Sequence, residues 1–77
     1  MIQEVKKYIS NGHKGSVFEY LSNCYTVEER KQEALAIEKD QEIVEDCEVV
    51  FEIPNVYCII KIKEKDGSVK IHEIIQL

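Results

Sequence analysis

The 77-residue sequence has little of several residue types that would point to particular classes of protein. It contains one Pro and three Gly and no low-complexity segment, so disorder is not expected along most of its length. No stretch approaches the roughly 18 apolar residues of a membrane span. The first ten residues, MIQEVKKYIS, also lack the apolar run of a signal peptide. We therefore expect a cytoplasmic protein that does not associate with membranes.

Motifs that carry chemistry are also missing. The sequence contains no CxxC, HExxH or EF-hand pattern and no glycine-rich nucleotide cradle. Its three cysteines, Cys24, Cys47 and Cys58, are odd in number and widely spaced, so they form no disulfide framework. We expect them to be small buried hydrophobic residues. The sequence accordingly predicts no catalytic residue, no metal site and no cofactor.

The composition is that of one folded domain covering residues 1–77. Hydrophobic residues make up 44% and charged residues 32% of the chain, and 77 residues do not suffice for two cores. The net charge of −5 repels phosphates, so direct binding of nucleic acid is not expected.

The first half of the chain has helical signals. Apolar residues recur at helical spacing over about 2–10, 17–24 and 27–40, which predicts three helices. Capping-box pairs, Ser16 with Glu19 and Thr26 with Glu29, precede the second and third of them. The alternative is one continuous helix from 17 to 40, in which both capping boxes are accidental.

The second half alternates in hydrophobicity and predicts three strands, about 46–53, 56–64 and 69–76. Two-residue turns at Pro54-Asn55 and Asp66-Gly67 would join them into an antiparallel meander. This register pairs Val49 with Ile60, Cys47 with Ile62, Phe51 with Cys58, Ile62 with Ile71, Cys58 with Ile75, Asp46 with Lys63 and Glu48 with Lys61. Glu73 then falls among core positions, unless a bulge near His72-Glu73 moves it or it lies at the rim of the core. The predicted fold is α+β, with the helices packed on one face of the meander.

On the outer face, the same register predicts an apolar row across all three strands, with a tyrosine beside it. The residues are Val50, Tyr57, Ile59 and Ile74. Polar residues are expected on a solvated face of an antiparallel sheet. The row has three interpretations: the first helix covers it, a second copy of the chain binds it, or another protein docks on it.

Acidic residues are concentrated in the middle of the chain. Residues 28–52 contain ten acidic and three basic residues, and seven of these acids follow Ile37. The seven are Glu38, Asp40, Glu42, Glu45, Asp46, Glu48 and Glu52. They are either a solvated helix end and a charged edge strand or a surface for a basic partner.

We therefore expect a small non-catalytic protein-binding module, an inhibitor or regulator whose acidic segment docks on a basic partner such as a nucleic-acid-binding protein. Phages and mobile elements encode inhibitors of this general kind, anti-CRISPR proteins among them, although no motif identifies a family. One alternative is an assembly module that forms a homodimer through the outer sheet face. The other is a small enzyme or anion-binding protein that uses the 11–16 loop.

Overall fold

The computed structural model describes residues 16–21 and 26–76, excluding the side chain of Ser16. These residues form one helix and four strands. In chain order the elements are β1 (Ser16–Leu21), α1 (Val27–Lys39), β2 (Val44–Ile53), β3 (Tyr57–Glu64) and β4 (Val69–Gln76). The predicted α+β class is confirmed. The predicted helix over 2–10 and the glycine-containing loop over 11–15 lie outside the described residues.

The four strands form one mixed sheet in the order β1-β4-β3-β2. Strands β2, β3 and β4 are antiparallel neighbours, as the alternation predicts. Strand β1 adds to the outside of β4 in the parallel direction, from Ser16 opposite Ile71 to Leu21 opposite Gln76. The prediction of a three-stranded sheet is therefore wrong, because β1 adds a fourth strand beside the meander.

The fourth strand replaces the helix predicted over 17–24, and it also excludes a continuous helix from 17 to 40. Val17, Phe18 and Tyr20 have high strand propensity. Pairing with β4 also provides hydrogen-bond partners for the backbone along one side of the strand. Glu19 does not cap a helix, because its carboxylate binds side chains of β4 and α1 instead. Tertiary contacts thus override the local helical spacing.

Helix α1 begins where the second capping box predicts. Thr26 is the N-cap residue, and its side chain accepts a hydrogen bond from the Glu29 backbone N–H at 3.1 Å. The Glu29 carboxylate accepts the Thr26 backbone N–H at 3.2 Å in return. Val27, Lys31 and Ala34 form the buried side of the helix. The helix ends at Lys39, one residue before the predicted end, with Asp40 as its C-cap.

The hairpin between β3 and β4 has a three-residue loop rather than the predicted two-residue turn. The Glu64 N–H donates to the Ser68 carbonyl at 2.8 Å, and Gly67 has a φ of 90°. A left-handed residue at the end of such a loop is favourable for glycine. The register therefore shifts by one residue. Ile62 lies opposite Lys70 and Cys58 opposite Ile74, so the predicted partners Ile71 and Ile75 are wrong.

The hairpin between β2 and β3 also has a longer loop, containing Pro54, Asn55 and Val56. Asn55 adopts a φ of 56°, and Ile53 lies opposite Tyr57, so the predicted pairing of Phe51 with Cys58 is wrong. A register shift between Val49 and Phe51 then compensates for the extra residue. Beyond this shift the predicted pairs are confirmed: Val49 with Ile60, Cys47 with Ile62, Glu48 with Lys61 and Asp46 with Lys63.

The sheet carries apolar residues on both faces. The face covered by α1, called the helix face, contains Cys58, Ile60, Ile62 and Ile74, which pack with residues of the helix such as Val27 and Ala34. The opposite face, called the second face, contains a smaller buried cluster of Ile59, Val69 and Ile71. The central strands β3 and β4 thus contribute apolar residues to buried clusters on both faces of the sheet.

Gly67 provides a test of the β3–β4 loop, because a Cβ there would have no neighbour within 4 Å. Gly67→Val should therefore lower the free energy of unfolding through backbone strain alone, by about 1–3 kcal/mol. Gly67→Asn is the matched control and should lose much less, since Asn tolerates a positive φ. Chemical denaturation measures both variants. Equal stability of Gly67→Val and the wild type would contradict the observed loop.

Candidate functional site

The acidic residues predicted to bind a partner are mostly exposed and lie together at one edge of the sheet. Five of them occupy the nine positions from the C-cap of α1 to the middle of β2, with no basic residue between them. We call this set the acidic edge: Asp40, Glu42, Glu45, Asp46 and Glu48, all of which are exposed. The acidic edge begins in the α1–β2 connection and continues along the first half of β2. No other described strand pairs with the outer side of β2.

The backbone that carries the first half of the acidic edge is fixed by hydrogen bonds. The Gln41 N–H donates to the Glu38 carbonyl at 3.2 Å, and the Val44 N–H donates to the Gln41 carbonyl at 3.1 Å. The Lys65 N–H, from the β3–β4 loop, donates to the Ile43 carbonyl at 2.8 Å. These hydrogen bonds hold the connection between α1 and β2 in one conformation.

An exposed apolar side chain lies within the acidic edge. Ile43 is 57% exposed, and it borders a depression of about 520 Å³ between the α1–β2 connection and the β3–β4 loop. The lining residues are Glu42, Ile43, Glu64, Lys65 and Asp66. The surface thus combines an apolar centre with a charged rim, which is the usual composition of a protein interface.

Two basic residues of β3 neutralise part of the acidic edge. Lys63 lies opposite Asp46 in the sheet, and its Nζ is 3.4 Å from Glu45 Oε2. Lys61 lies opposite Glu48. Such exposed pairs contribute little to stability.

The other two predicted acidic residues bind elements of the protein itself. Glu38 is half-buried, and its Oε1 lies 3.7 Å from Lys70 Nζ on β4. Glu52 Oε2 accepts a hydrogen bond from Lys31 Nζ at 2.9 Å, and Lys31 also contacts Glu28 Oε2 at 2.7 Å. Hydrogen bonds to Glu28 and Glu52 raise the pKa of Lys31. These contacts attach α1 to the sheet.

The predicted apolar row is not assembled on one face. Val50, Tyr57 and Ile59 lie on the second face, whereas Ile74 is fully buried on the helix face. Ile59 has no exposed surface either. The one-residue shift in the β3–β4 hairpin causes the separation, since it exchanges the faces of β4. The predicted first helix, one proposed cover for this row, lies outside the described residues.

The same shift accounts for Glu73, which was out of place in the predicted register. No bulge occurs at Glu73; it lies on the second face opposite Ile59. The Tyr57 hydroxyl donates a hydrogen bond to Glu73 Oε1 at 2.9 Å. Burial and this hydrogen bond raise the pKa of Tyr57, so the phenol remains a donor at neutral pH.

A polar cluster that the sequence did not indicate joins β1, β4 and α1. Glu19 Oε1 accepts a hydrogen bond from Arg30 Nε at 2.7 Å, and Glu19 Oε2 lies 2.9 Å from His72 Nε2. Because an ionised carboxylate can only accept, the His72 Nε2–H is the donor. Burial raises the pKa of Glu19, but the bonds from Arg30 and His72 outweigh it and hold that pKa below its ordinary value.

Cys47 and Cys58 are buried free thiols. Burial is the largest cause of a raised pKa for both, about 11 for Cys58, so both are protonated at neutral pH. Cys24 and His13 lie outside the described residues. Among residues 16–21 and 26–76, no group of three or more His, Cys, Asp and Glu side chains is arranged to hold a metal ion.

No known protein family, curated protein or solved structure matches the chain. The fold and the site describe a small α+β protein with an acidic edge. In the part of the chain that the structure describes, no helix combines the length and apolar character needed to cross a membrane.

The Glu19 cluster predicts a pH-dependent component of stability. The lowered pKa means that Glu19 stabilises the fold above its ordinary pKa of about 4.5, and that this contribution is lost as the pH falls through the folded-state value. Glu19→Gln should therefore lower the free energy of unfolding at neutral pH by about 2 kcal/mol, and the difference from wild type should shrink on acidification.

Urea denaturation at a series of pH values, from neutral pH to below the ordinary Glu pKa of about 4.5, measures the effect. Glu33→Gln is the control, because Glu33 also contacts Arg30, at 3.5 Å, but is exposed. It should change stability by no more than about 0.5 kcal/mol. A constant difference between Glu19→Gln and wild type at every pH would contradict the assigned role of the charge.

Proposed function

We propose that this protein is a non-catalytic protein-binding module whose acidic edge docks on a basic surface of a partner protein, which it inhibits or regulates. The observation that carries the proposal is the acidic edge itself. Its five exposed carboxylates lie within nine consecutive residues, and the exposed Ile43 lies among them. Complementary charge of this kind steers association and selects partners.

The depression beside Ile43 suggests how a basic side chain is recognised. A partner's Lys or Arg can lay its aliphatic stem on Ile43 while its charged end meets the Glu42 carboxylate on the rim. The hydrogen bonds of Gln41, Val44 and Lys65 hold this site in position. The apolar contact adds affinity, and the surrounding charges add specificity.

The class of partner that fits best is a protein with a basic groove for nucleic acid. An acidic edge strand can present carboxylates where phosphates would otherwise lie. Nucleic acid itself does not fit, because its phosphates and the chain's net charge of −5 have the same sign. Binding to the acidic edge would then exclude nucleic acid from the partner, which is the expected route of inhibition.

The experiment compares two variants that change the net charge equally at different places. Asp40→Asn, Glu42→Gln and Glu45→Gln together remove three negative charges from the acidic edge. Gln32→Lys, Glu33→Gln and Ala36→Lys make the same net change on the exposed side of α1. Wild-type protein serves as bait in a lysate of the source cell, and the captured partner is purified for kinetic measurements with all three proteins.

We expect the edge variant to associate at least about 10-fold more slowly than wild type, and the helix variant to associate at nearly the wild-type rate. Wild-type association should also slow as salt is added. Circular dichroism should show that both variants fold, since exposed substitutions cost about 0.5 kcal/mol or less each. Equal association rates for the two variants, or a wild-type bait that captures nothing, would refute the proposal.

A further inference from the structure

Three apolar side chains of strand β1 are largely exposed. Val17 is 40%, Phe18 54% and Tyr20 58% exposed. Phe18 and Tyr20 lie on the same face of the strand, with ring centroids 5.5 Å apart. One side of β1 pairs with β4, and no other described strand pairs with its opposite side. We call this side of the sheet, with Val17, Phe18 and Tyr20, the aromatic edge.

The two edges of the sheet differ in how they resist the addition of another strand. Strand β2 has two register shifts and four acidic residues along its length, and both features disfavour edge-to-edge pairing. Strand β1 pairs with β4 through six consecutive residues without a shift, and it contains no Pro, Gly or Lys. Among the described residues, none of these features protects the aromatic edge from strand addition, whereas they do protect the acidic edge.

We propose that the aromatic edge binds a second copy of this chain, with the two β1 strands antiparallel. The residue types of the strand are symmetric about Glu19, which has an aromatic residue on each side. In an antiparallel register centred on Glu19, Phe18 lies opposite Tyr20 of the second copy, and Tyr20 lies opposite its Phe18. Each dimer then contains two cross-strand aromatic pairs, which are among the favourable pairs in sheets.

The charges at this edge permit self-association. Glu19 is the only charged residue of β1, and it points to the helix face, where Arg30 and His72 already bind its carboxylate. In this register the two Glu19 side chains of a dimer lie opposite each other, and Arg30 and His72 of each copy offset part of their repulsion. The acidic edge, in contrast, would repel a second copy of itself. Charge thus favours β1 over β2 as the place where two copies meet.

The inference goes beyond the proposed function and does not depend on it. An interface made by one six-residue strand from each copy is small, so the dimer belongs to the weak, concentration-dependent class. Analytical ultracentrifugation over a concentration series is the appropriate measurement. The probe is the purified full-length chain alone.

Phe18→Lys and Tyr20→Lys each place a positive charge on the aromatic edge. Lys residues on natural edge strands prevent pairing with another strand in the same way. The matched control is Ile53→Lys, because Ile53 is 46% exposed at the end of the other edge strand. We expect the wild type and Ile53→Lys to dimerise as concentration rises. Each aromatic-edge variant should raise the dissociation constant at least 10-fold while retaining the wild-type circular dichroism spectrum.

A wild-type protein that stays monomeric over the whole series would overturn the proposal and point to a strand of a different protein as the occupant. Equal weakening by Ile53→Lys would overturn it as well, since the effect would then be one of net charge. The variant with Asp40→Asn, Glu42→Gln and Glu45→Gln should still dimerise. A failure of the acidic-edge proposal is therefore distinguishable from a failure of this one.

Discussion

The Glu19 carboxylate is the contact on which the arrangement of β1 depends. Leu21 is buried, but Val17, Phe18 and Tyr20 are largely exposed, so apolar packing contributes little to the position of this strand. Glu19 accepts hydrogen bonds from Arg30 on α1, the next element in the chain, and from His72 on β4, which is more than 50 residues away. Charge-assisted hydrogen bonds are about twice as strong as neutral ones, and here they compensate for the weak packing.

Loop length is the second constraint, because one residue decides which side chains share a face. Asn55 and Gly67 both adopt positive φ, and residues of these types serve in two-residue and three-residue loops alike. The sequence therefore predicted both turns but not their lengths. The register shift before Phe51 restored the predicted pairs of Cys47 and Val49, whereas no shift restored those of β4.

The elements that the sequence predicted correctly depend on local signals. Thr26 and Glu29 lie three residues apart, so their capping box is visible without any tertiary information. Strand β1 could not be predicted in this way, because its partners on β4 lie more than 50 residues away. The predicted acidic residues also fall into those that local sequence explains and those that it does not. Exposure of Asp40, Glu42 and Glu45 follows from a run of acids, but the contacts of Glu38 and Glu52 come from Lys70 and Lys31 on other elements.

The order of the strands separates the two proposed interaction surfaces. The aromatic edge and the acidic edge lie at opposite ends of the sheet, about 14 Å apart at the usual strand spacing. A partner on β2 and a second copy on β1 would therefore contact different strands. Pairing through β1 would leave both acidic edges outward at the ends of a continuous sheet. Such a dimer would present two docking surfaces to a partner with repeated basic sites, and binding at one would raise the effective concentration at the other.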